Sequence, residues 1–133
     1  MDFVGRALSA VAGRPVATPA WLVARFPELG VLRLREGGVA PRVAGWMLGQ
    51  RTVSAITLWG TVFVAPGVRL APELLLHELR HVSQFQGSHA FPILYVWETL
   101  RRGYHSNRYE VDARAFAARR VRDPRNAPPR GEV

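Results

Sequence analysis

Residues 74–86 read LLLHELRHVSQFQ, and the rest of the chain is interpreted around this stretch. It holds His77, Glu78 and His81 in the order H-E-x-x-H. Residues four apart on a helix lie about 40° from each other around its axis, so the two histidines point the same way. Two imidazoles on adjacent turns can bind one divalent ion, most naturally Zn²⁺. Glu78 lies about 100° round from His77, beside the ion, where a base can accept a proton from activated water.

The flanking residues predict that this stretch is a helix with one core-facing side. Pro72 and Glu73 are typical of a helix start. Three apolar residues lie about 140–200° from His77 and form a core-facing stripe, namely Leu75, Leu79 and Val82. A buried helix with two core histidines is the alternative, but such a helix has no need of Glu78.

Composition limits the function classes. The chain has 133 residues, 48% of them apolar, which predicts one domain over residues 1–121. Residues 122–133 are rich in proline and arginine and show no periodicity, which predicts a disordered tail. No apolar run is long enough to span a membrane, and no convincing signal peptide is present, so we expect a cytoplasmic protein. With no cysteine, any metal must be held by His and carboxylate.

The net charge of +8 comes entirely from arginine, since the chain contains no lysine. The arginines are scattered and do not alternate with aromatic residues, so nucleic-acid binding is not expected. An arginine-driven binder of nucleic acid or an anionic surface remains an alternative, which a steep salt dependence would reveal.

The first half of the chain predicts short elements. Residues 1–19 form a loosely packed segment that includes a helix at 3–11. Further helices are predicted at 20–26 and 41–48, and a half-buried strand at 31–35. Residues 52–64 predict a β-hairpin that turns at Trp59-Gly60. Its exposed edge could pair with an extended peptide, or the hairpin could be purely structural.

Residues 92–102 predict another helix, with Gly103 just beyond its end. Its apolar residues are expected to pack on the metal helix, although a basic amphipathic helix can also lie on a membrane surface. The apolar spacing is carried by Ile93, Val96, Trp97 and Leu100.

A third metal ligand is needed, because catalytic zinc sites commonly have three protein ligands and water. The downstream candidates are Glu98, His105, Glu110 and Asp112. Ser106 or Asn107 predicts the cap of a last helix, on which Ala113 and Ala117 lie within about 60° of Glu110. Small residues let two helices approach closely, which favours Glu110. Asp112 points about 160° away from Glu110, where Arg108 and Arg119 could pair with it.

The HELRH helix, followed about thirty residues later by Glu110 in YEVDARAFA, resembles the gluzincin clan of zinc metallopeptidases, and most of all the single-domain minigluzincins. The resemblance covers residues 52 to about 120. It implies an α+β, zincin-like fold: a small antiparallel sheet or hairpin on an active-site helix, with two further C-terminal helices. Many relatives carry an Asp four residues after the ligand Glu, whereas this chain has Arg114, so the residues that orient the histidines are unassigned.

The resemblance also implies a reaction. One Zn²⁺ per chain would be held by His77, His81 and Glu110, and Glu78 would act as general base on a metal-activated water that attacks a peptide bond. Tyr104 or His105 would stabilise the oxyanion. The substrate would be a peptide or unfolded protein. The alternative is a zincin-fold metal-binding protein with a structural or regulatory role, its cleft blocked by residues 1–19 or by the tail.

Overall fold

The computed structural model describes residues 3–47 and 53–126. Within these ranges the chain has an α+β arrangement of one sheet and several helices. The strands are β1 (Arg14–Val16), β2 (Arg33–Glu36), β3 (Ala55–Leu58) and β4 (Thr61–Val64). The helices are α1 (Phe3–Ala12), α2 (Ala20–Arg25), α3 (Ala40–Met47), α4 (Pro72–Gly87), α5 (Phe91–Arg102) and α6 (Arg108–Arg122), with 3-10 turns at Pro27–Val31 and Pro124–Asn126.

The sheet is mixed, so the prediction of an antiparallel sheet is wrong. Its strand order is β1-β2-β4-β3. The β3–β4 hairpin is antiparallel, as is the β1–β2 pair, but β2 runs parallel to β4. Parallel neighbours need a crossover connection, and the segment through α3 and β3 provides it. A three-residue strand such as β1 leaves no alternating pattern in the sequence by which it could be predicted.

The predicted strand at 31–35 begins two residues late. Val31 belongs to the 3-10 turn and is exposed, whereas Leu32 and Leu34 are buried. Pro27 stands in the first turn of this 3-10 helix, where its fixed φ favours helical geometry. The sequence pattern therefore predicted a strand in the right region but placed its start too early, because Val31 belongs to the preceding 3-10 turn.

The other predicted elements are found with small shifts at their ends. The hairpin turns at Trp59-Gly60, as predicted. Helices are present at the ranges predicted for α1 to α6, and Asn107 caps α6 by accepting a hydrogen bond from the Tyr109 N–H at 2.9 Å. Residues 48–52, which include the predicted end of α3 and the start of the hairpin, lie outside the described residues.

One core joins the sheet to α4 and α6. Phe26 and Leu29 enter it from the N-terminal half, and Val62 from the sheet. The predicted stripe on α4 is buried in it, and Ala117 contributes from α6. The core therefore fixes α4 between the sheet and α6, so that the H-E-x-x-H residues are held by packing on both sides.

The expectation that the apolar side of α5 packs on α4 is wrong. Phe91 and Glu98 lie on the buried side of α5. The four residues of the apolar spacing are exposed, with exposed fractions of 74% for Ile93, 46% for Val96, 59% for Trp97 and 78% for Leu100. The aromatic ring of Phe91 contacts Phe85 and Tyr109, and these contacts hold α5 with its opposite side inward.

The two ends of the described chain differ from each other in packing. Most described side chains of α1 are exposed, in keeping with a loosely packed N-terminal segment. At the other end, Arg122 still belongs to α6, and Asp123 is paired with Arg125 in the following turn. Residues 127–133 of the predicted tail lie outside the described residues. Among the residues that are described, no helix is long and apolar enough to cross a membrane.

Substitution of Phe26 tests the shared core, because this residue is fully buried between α2, the following 3-10 turn and Arg120 of α6. Phe26→Ala should lower the free energy of unfolding by about 3–5 kcal/mol, through lost burial and the cavity left behind. Val31→Ala, at an exposed position, should change it by less than about 0.5 kcal/mol. Urea denaturation of both variants measures this, and equal effects would contradict a single core.

Candidate metal centre

Three side chains from two helices converge at one point. His77 and His81 extend from adjacent turns of α4, and Glu110 extends from the first turn of α6. The Glu110 carboxylate lies 2.9 Å from Nε2 of His77 and 3.1 Å from Nε2 of His81. The two Nε2 atoms are 3.1 Å apart. Their potential ligand atoms all lie within 4.8 Å of one another, so the three residues could hold a metal ion.

The spacing of the donor atoms fits a small divalent ion. Ligands at about 2.0–2.1 Å from a tetrahedral ion are separated from each other by about 3.3 Å, close to the observed 2.9–3.1 Å. The two Nε2 atoms are close enough for one hydrogen bond, in which one nitrogen donates and the other accepts. An ion would use both lone pairs at once.

Interactions within this cluster shift the pKa values of Glu110 and His81 in opposite directions. Burial alone would raise the pKa of Glu110, but hydrogen bonds from His77 and His81 outweigh it and hold that pKa well below its usual range. Burial alone would lower the pKa of His81, but Glu110 and Glu78 outweigh it and raise that pKa to about 9. The raised pKa of His81 and the lowered pKa of Glu110 show that this cluster favours positive charge beside the carboxylate, where a cation could bind.

A hydrogen-bonded chain orients His81. The amide nitrogen of Gln84 lies 3.1 Å from both the Tyr109 carbonyl and an Asp112 carboxylate oxygen, which are acceptors only. The amide oxygen must therefore face Nδ1 of His81, at 2.7 Å, and Nδ1 must carry the proton. In neutral His81 this tautomer leaves the lone pair of Nε2 free to bind a metal. Fixing the tautomer in this way is the usual role of the residue that hydrogen-bonds the other ring nitrogen of a metal-binding histidine.

Asp112 anchors this chain of hydrogen bonds. Its carboxylate accepts hydrogen bonds from the Arg80 guanidinium at 2.7 and 3.3 Å, and the Arg80 hydrogen bond lowers the pKa of Asp112. Its side-chain hydrogen bonds thus come from Arg80 and Gln84 of α4, whereas of the two expected arginines of α6 Arg119 acts on Asp112 through its charge, which also lowers the pKa of Asp112. Because α6 lies alongside α4, the side of α6 that carries Asp112 faces α4 as well.

Glu78 lies beside the cluster and does not belong to it. Its side chain is 5% exposed, and its Oε2 accepts a hydrogen bond of 2.7 Å from the Thr57 hydroxyl on β3. Burial raises the pKa of Glu78, against the opposing charges of His81 and His77.

Tyr95 is a site residue that the sequence analysis missed. Its hydroxyl donates a hydrogen bond of 2.7 Å to Oε1 of Glu110. Burial and the Glu110 charge raise the pKa of Tyr95 far above its ordinary value, so the hydroxyl stays a donor. A signal was present, because Tyr95 shares a helix side with Glu98 and lies away from the apolar residues of α5.

Asn107 fixes α5 against α6 and thereby sets the position of Tyr95. It is fully buried, and its amide nitrogen donates to the Tyr95 carbonyl at 3.1 Å and to the Thr99 hydroxyl at 2.9 Å. Its side-chain oxygen accepts from the Tyr109 N–H at 2.9 Å. One side chain therefore caps α6, which carries Glu110, and fastens it to the helix that carries Tyr95.

A cavity of about 260 Å³ opens beside the cluster. Tyr104 lines it together with Glu78, and burial and the Glu110 charge raise the pKa of Tyr104 to about 12. His105 is exposed in the turn after Gly103 and is absent from the lining, so the structure brings only Tyr104 to the site. The remaining lining residues are mostly apolar and come from α3, β3, α4 and α5.

The other candidate ligand is used elsewhere. Glu98 is buried, but it lies near the guanidinium groups of Arg102 and Arg108, at 3.5 and 3.7 Å, and accepts from the Arg108 N–H. It therefore supports the start of α6 and does not face the histidines.

Gln84 should act as a positioning residue for His81. Gln84→Ala removes the acceptor at Nδ1, so we expect the affinity for zinc to fall about 10–100-fold. Gln86→Ala is the matched control, since Gln86 is exposed on the same helix. Competition with a chromogenic chelator measures both affinities. Unchanged affinity in Gln84→Ala would contradict the orienting role.

Comparison with known proteins does not assign a family or a function to this chain. A scan against protein-family models found no match, and searches of curated proteins and of solved structures found none either. The structural observation that bears on function is therefore the arrangement of His77, His81 and Glu110, which could hold a metal ion.

Proposed function

We propose that this protein is a zinc-dependent peptidase with a zincin-like active site. The observation that carries the proposal is the position of the buried Glu78 carboxyl group beside the cluster of His77, His81 and Glu110, at the wall of one cavity. A merely structural metal site needs a closed set of ligands, whereas this cluster offers three ligands and faces a cavity.

Zinc fits the donors best among common divalent ions. Two imidazole nitrogens and one carboxylate oxygen are a frequent catalytic zinc set, while magnesium and calcium favour oxygen ligands. When bound, the ion supplies Lewis acidity, which lowers the pKa of water and polarises a carbonyl group. One cluster in the described part of the chain accounts for one ion per protein.

Glu78 then acts as general base and acid. Thr57 holds Oε2, so Oε1 can accept a proton from the attacking water and return it to the amine that leaves. The raised pKa of Glu78 in the metal-free protein reflects a buried environment in which a carboxyl group can carry a proton between these two events.

Two tyrosines take different roles. Tyr95 donates to Glu110 and so positions a metal ligand. Tyr104 lines the cavity with its hydroxyl kept protonated, and it is the donor proposed for the developing oxyanion. His105, the other residue considered for that role, lies outside the cavity.

The edge of the sheet suits an extended peptide. β3 is an edge strand in the strand order, and its residues line the cavity beside Glu78. A peptide or unfolded segment could add to this edge through main-chain hydrogen bonds, which would place a carbonyl group near the metal centre. The α1–β1 segment contributes none of the lining residues, so within the described residues it does not block the cavity.

Glu78→Gln separates catalysis from metal binding. The amide can still accept from Thr57 but cannot accept the proton from water, so chelator-sensitive cleavage of an unstructured peptide should fall at least about 100-fold. Metal content should stay at one zinc per chain in Glu78→Gln and be lost in Glu110→Ala. Stoichiometric zinc without any cleavage by the unsubstituted protein would instead support a metal-binding protein without turnover.

The two tyrosines form a second test, because Tyr→Phe removes only a hydroxyl at each. Tyr104→Phe should lower kcat about 100-fold and weaken zinc binding less than Tyr95→Phe does, although Tyr104 also interacts with Glu110. Tyr95→Phe should instead weaken zinc binding about 10–100-fold. Steady-state kinetics with saturating zinc, together with chelator competition, distinguish the two. The same effect on zinc affinity in both variants would overturn the division of roles.

A further inference from the structure

The outer side of α5 carries an apolar stripe that no described residue covers. The stripe consists of Ile93, Val96, Trp97 and Leu100, which are exposed by 46–78%. Their spacing places them on one side of a helix, opposite the buried Phe91 and Glu98. Single exposed apolar residues are ordinary, but a full helical stripe indicates a binding surface.

The stripe adjoins the wall of the cavity. Val96 belongs both to the stripe and to the cavity lining. At the tip of the β-hairpin, Trp59 is 66% exposed, and its ring lies 5.6 Å from the ring of Phe85, another lining residue. Trp59 has a φ of 53°, which is rare and strained for a bulky residue. The chain thus keeps an exposed tryptophan next to a residue of the cavity lining, in a backbone conformation that bulky residues rarely adopt.

The charges around the stripe have one sign. Arg101 and Arg102 are exposed at the C-terminal end of α5. The single acidic residue of α5, Glu98, is buried and lies near Arg102 and Arg108. Glu98 therefore offsets Arg102, whereas no exposed carboxylate on α5 offsets Arg101, and the whole chain has a net charge of +8. A partner that complements this surface must combine an apolar interior with negative charge.

We propose that α5 binds the surface of an anionic phospholipid bilayer, with the stripe inserted among the acyl chains and the arginines at the head groups. An apolar stripe with tryptophan and flanking arginine is the composition of helices that lie in a membrane interface. The stripe is a convex helix side, and a protein partner would need a groove shaped to receive it, whereas a bilayer deforms around it. A second copy of the chain would bring like-charged arginines together.

This orientation would turn the cavity toward the membrane. Because Val96 lies at the cavity wall, insertion of the stripe would bring that wall of the cavity close to the lipid surface. Substrates that emerge from or are anchored to a membrane would then meet the site directly. The binding itself does not depend on the proposed peptidase activity, so the two can fail separately.

Flotation of the zinc-loaded full-length chain with phospholipid vesicles tests the proposal. The protein should float with vesicles of phosphatidylcholine and phosphatidylglycerol, bind phosphatidylcholine alone weakly, and dissociate partly in high salt. The inactive Glu78→Gln variant should bind equally well, since the stripe is unchanged. Failure to bind the anionic vesicles would overturn the proposal, whatever the peptidase assays show.

Surface variants identify the stripe as the cause. The double variant Ile93→Ser/Leu100→Ser should reduce the partition coefficient at least about tenfold, because the apolar contacts with the acyl chains are lost. Arg101→Gln should reduce it about fivefold and weaken its salt dependence. The matched control is Trp21→Ser/Val31→Ser, which removes exposed apolar surface remote in sequence from α5 and should bind like the unsubstituted chain.

Two results would contradict the membrane assignment even if some binding is seen. One is equal loss in the control double variant, which would mean non-specific adsorption. The other is a dimer in lipid-free solution that Ile93→Ser/Leu100→Ser dissociates, measured by light scattering, because the stripe would then be covered by a second copy. Circular dichroism melting of each variant checks that the fold is retained, so reduced binding reports the surface itself.

Discussion

The candidate site depends on the close approach of α6 to α4. Glu110 can lie within 3.1 Å of imidazoles on another helix only if the two backbones come near each other. Ala113 and Ala117, one and two turns after Glu110, are 0% and 2% exposed, so small side chains fill the contact between the helices. Larger residues there would move Glu110 away from the histidines, and the cluster would separate.

Buried charge is the second constraint, and it explains the hydrogen-bond network around the cluster. An isolated carboxylate in the interior is costly, so each buried one needs partners. Glu110 has two imidazoles and the Tyr95 hydroxyl, Glu78 has Thr57, and no buried side-chain polar atom in the described residues lacks a hydrogen-bond partner. The same contacts that satisfy these groups also fix their positions, which is what a metal site requires.

The sheet and α5 define what surrounds this polar centre. β3 supplies Thr57 to Glu78 and forms one wall of the cavity, while α5 supplies Tyr95 and forms another. α5 thus has two different sides, one that completes the site and one that is apolar and exposed. The proposed reaction and the proposed membrane contact would therefore adjoin each other at Val96, which belongs both to the cavity lining and to the exposed stripe.

The spacing of residues that are close in sequence was enough to predict several features of this protein from the sequence alone. The helix with His77, Glu78 and His81, the hairpin turn at Trp59-Gly60 and the small-residue side that favours Glu110 were all predictable, because each depends on residues within a few turns of one another. The lack of cysteine restricted the ligands of any metal to His and carboxylate, and the α+β class was expected from the predicted hairpin and helices together with the family resemblance.

Only the tertiary structure decided which distant residues meet. The parallel pairing of β2 with β4, the hydrogen bond of Tyr95 to Glu110 and the link from Asp112 through Gln84 to His81 join different elements. The outward direction of the α5 stripe was also undecidable locally, because the same apolar spacing serves a core or a surface. Packing of Phe91 against its aromatic neighbours selects the orientation, and no periodicity in one helix contains that information.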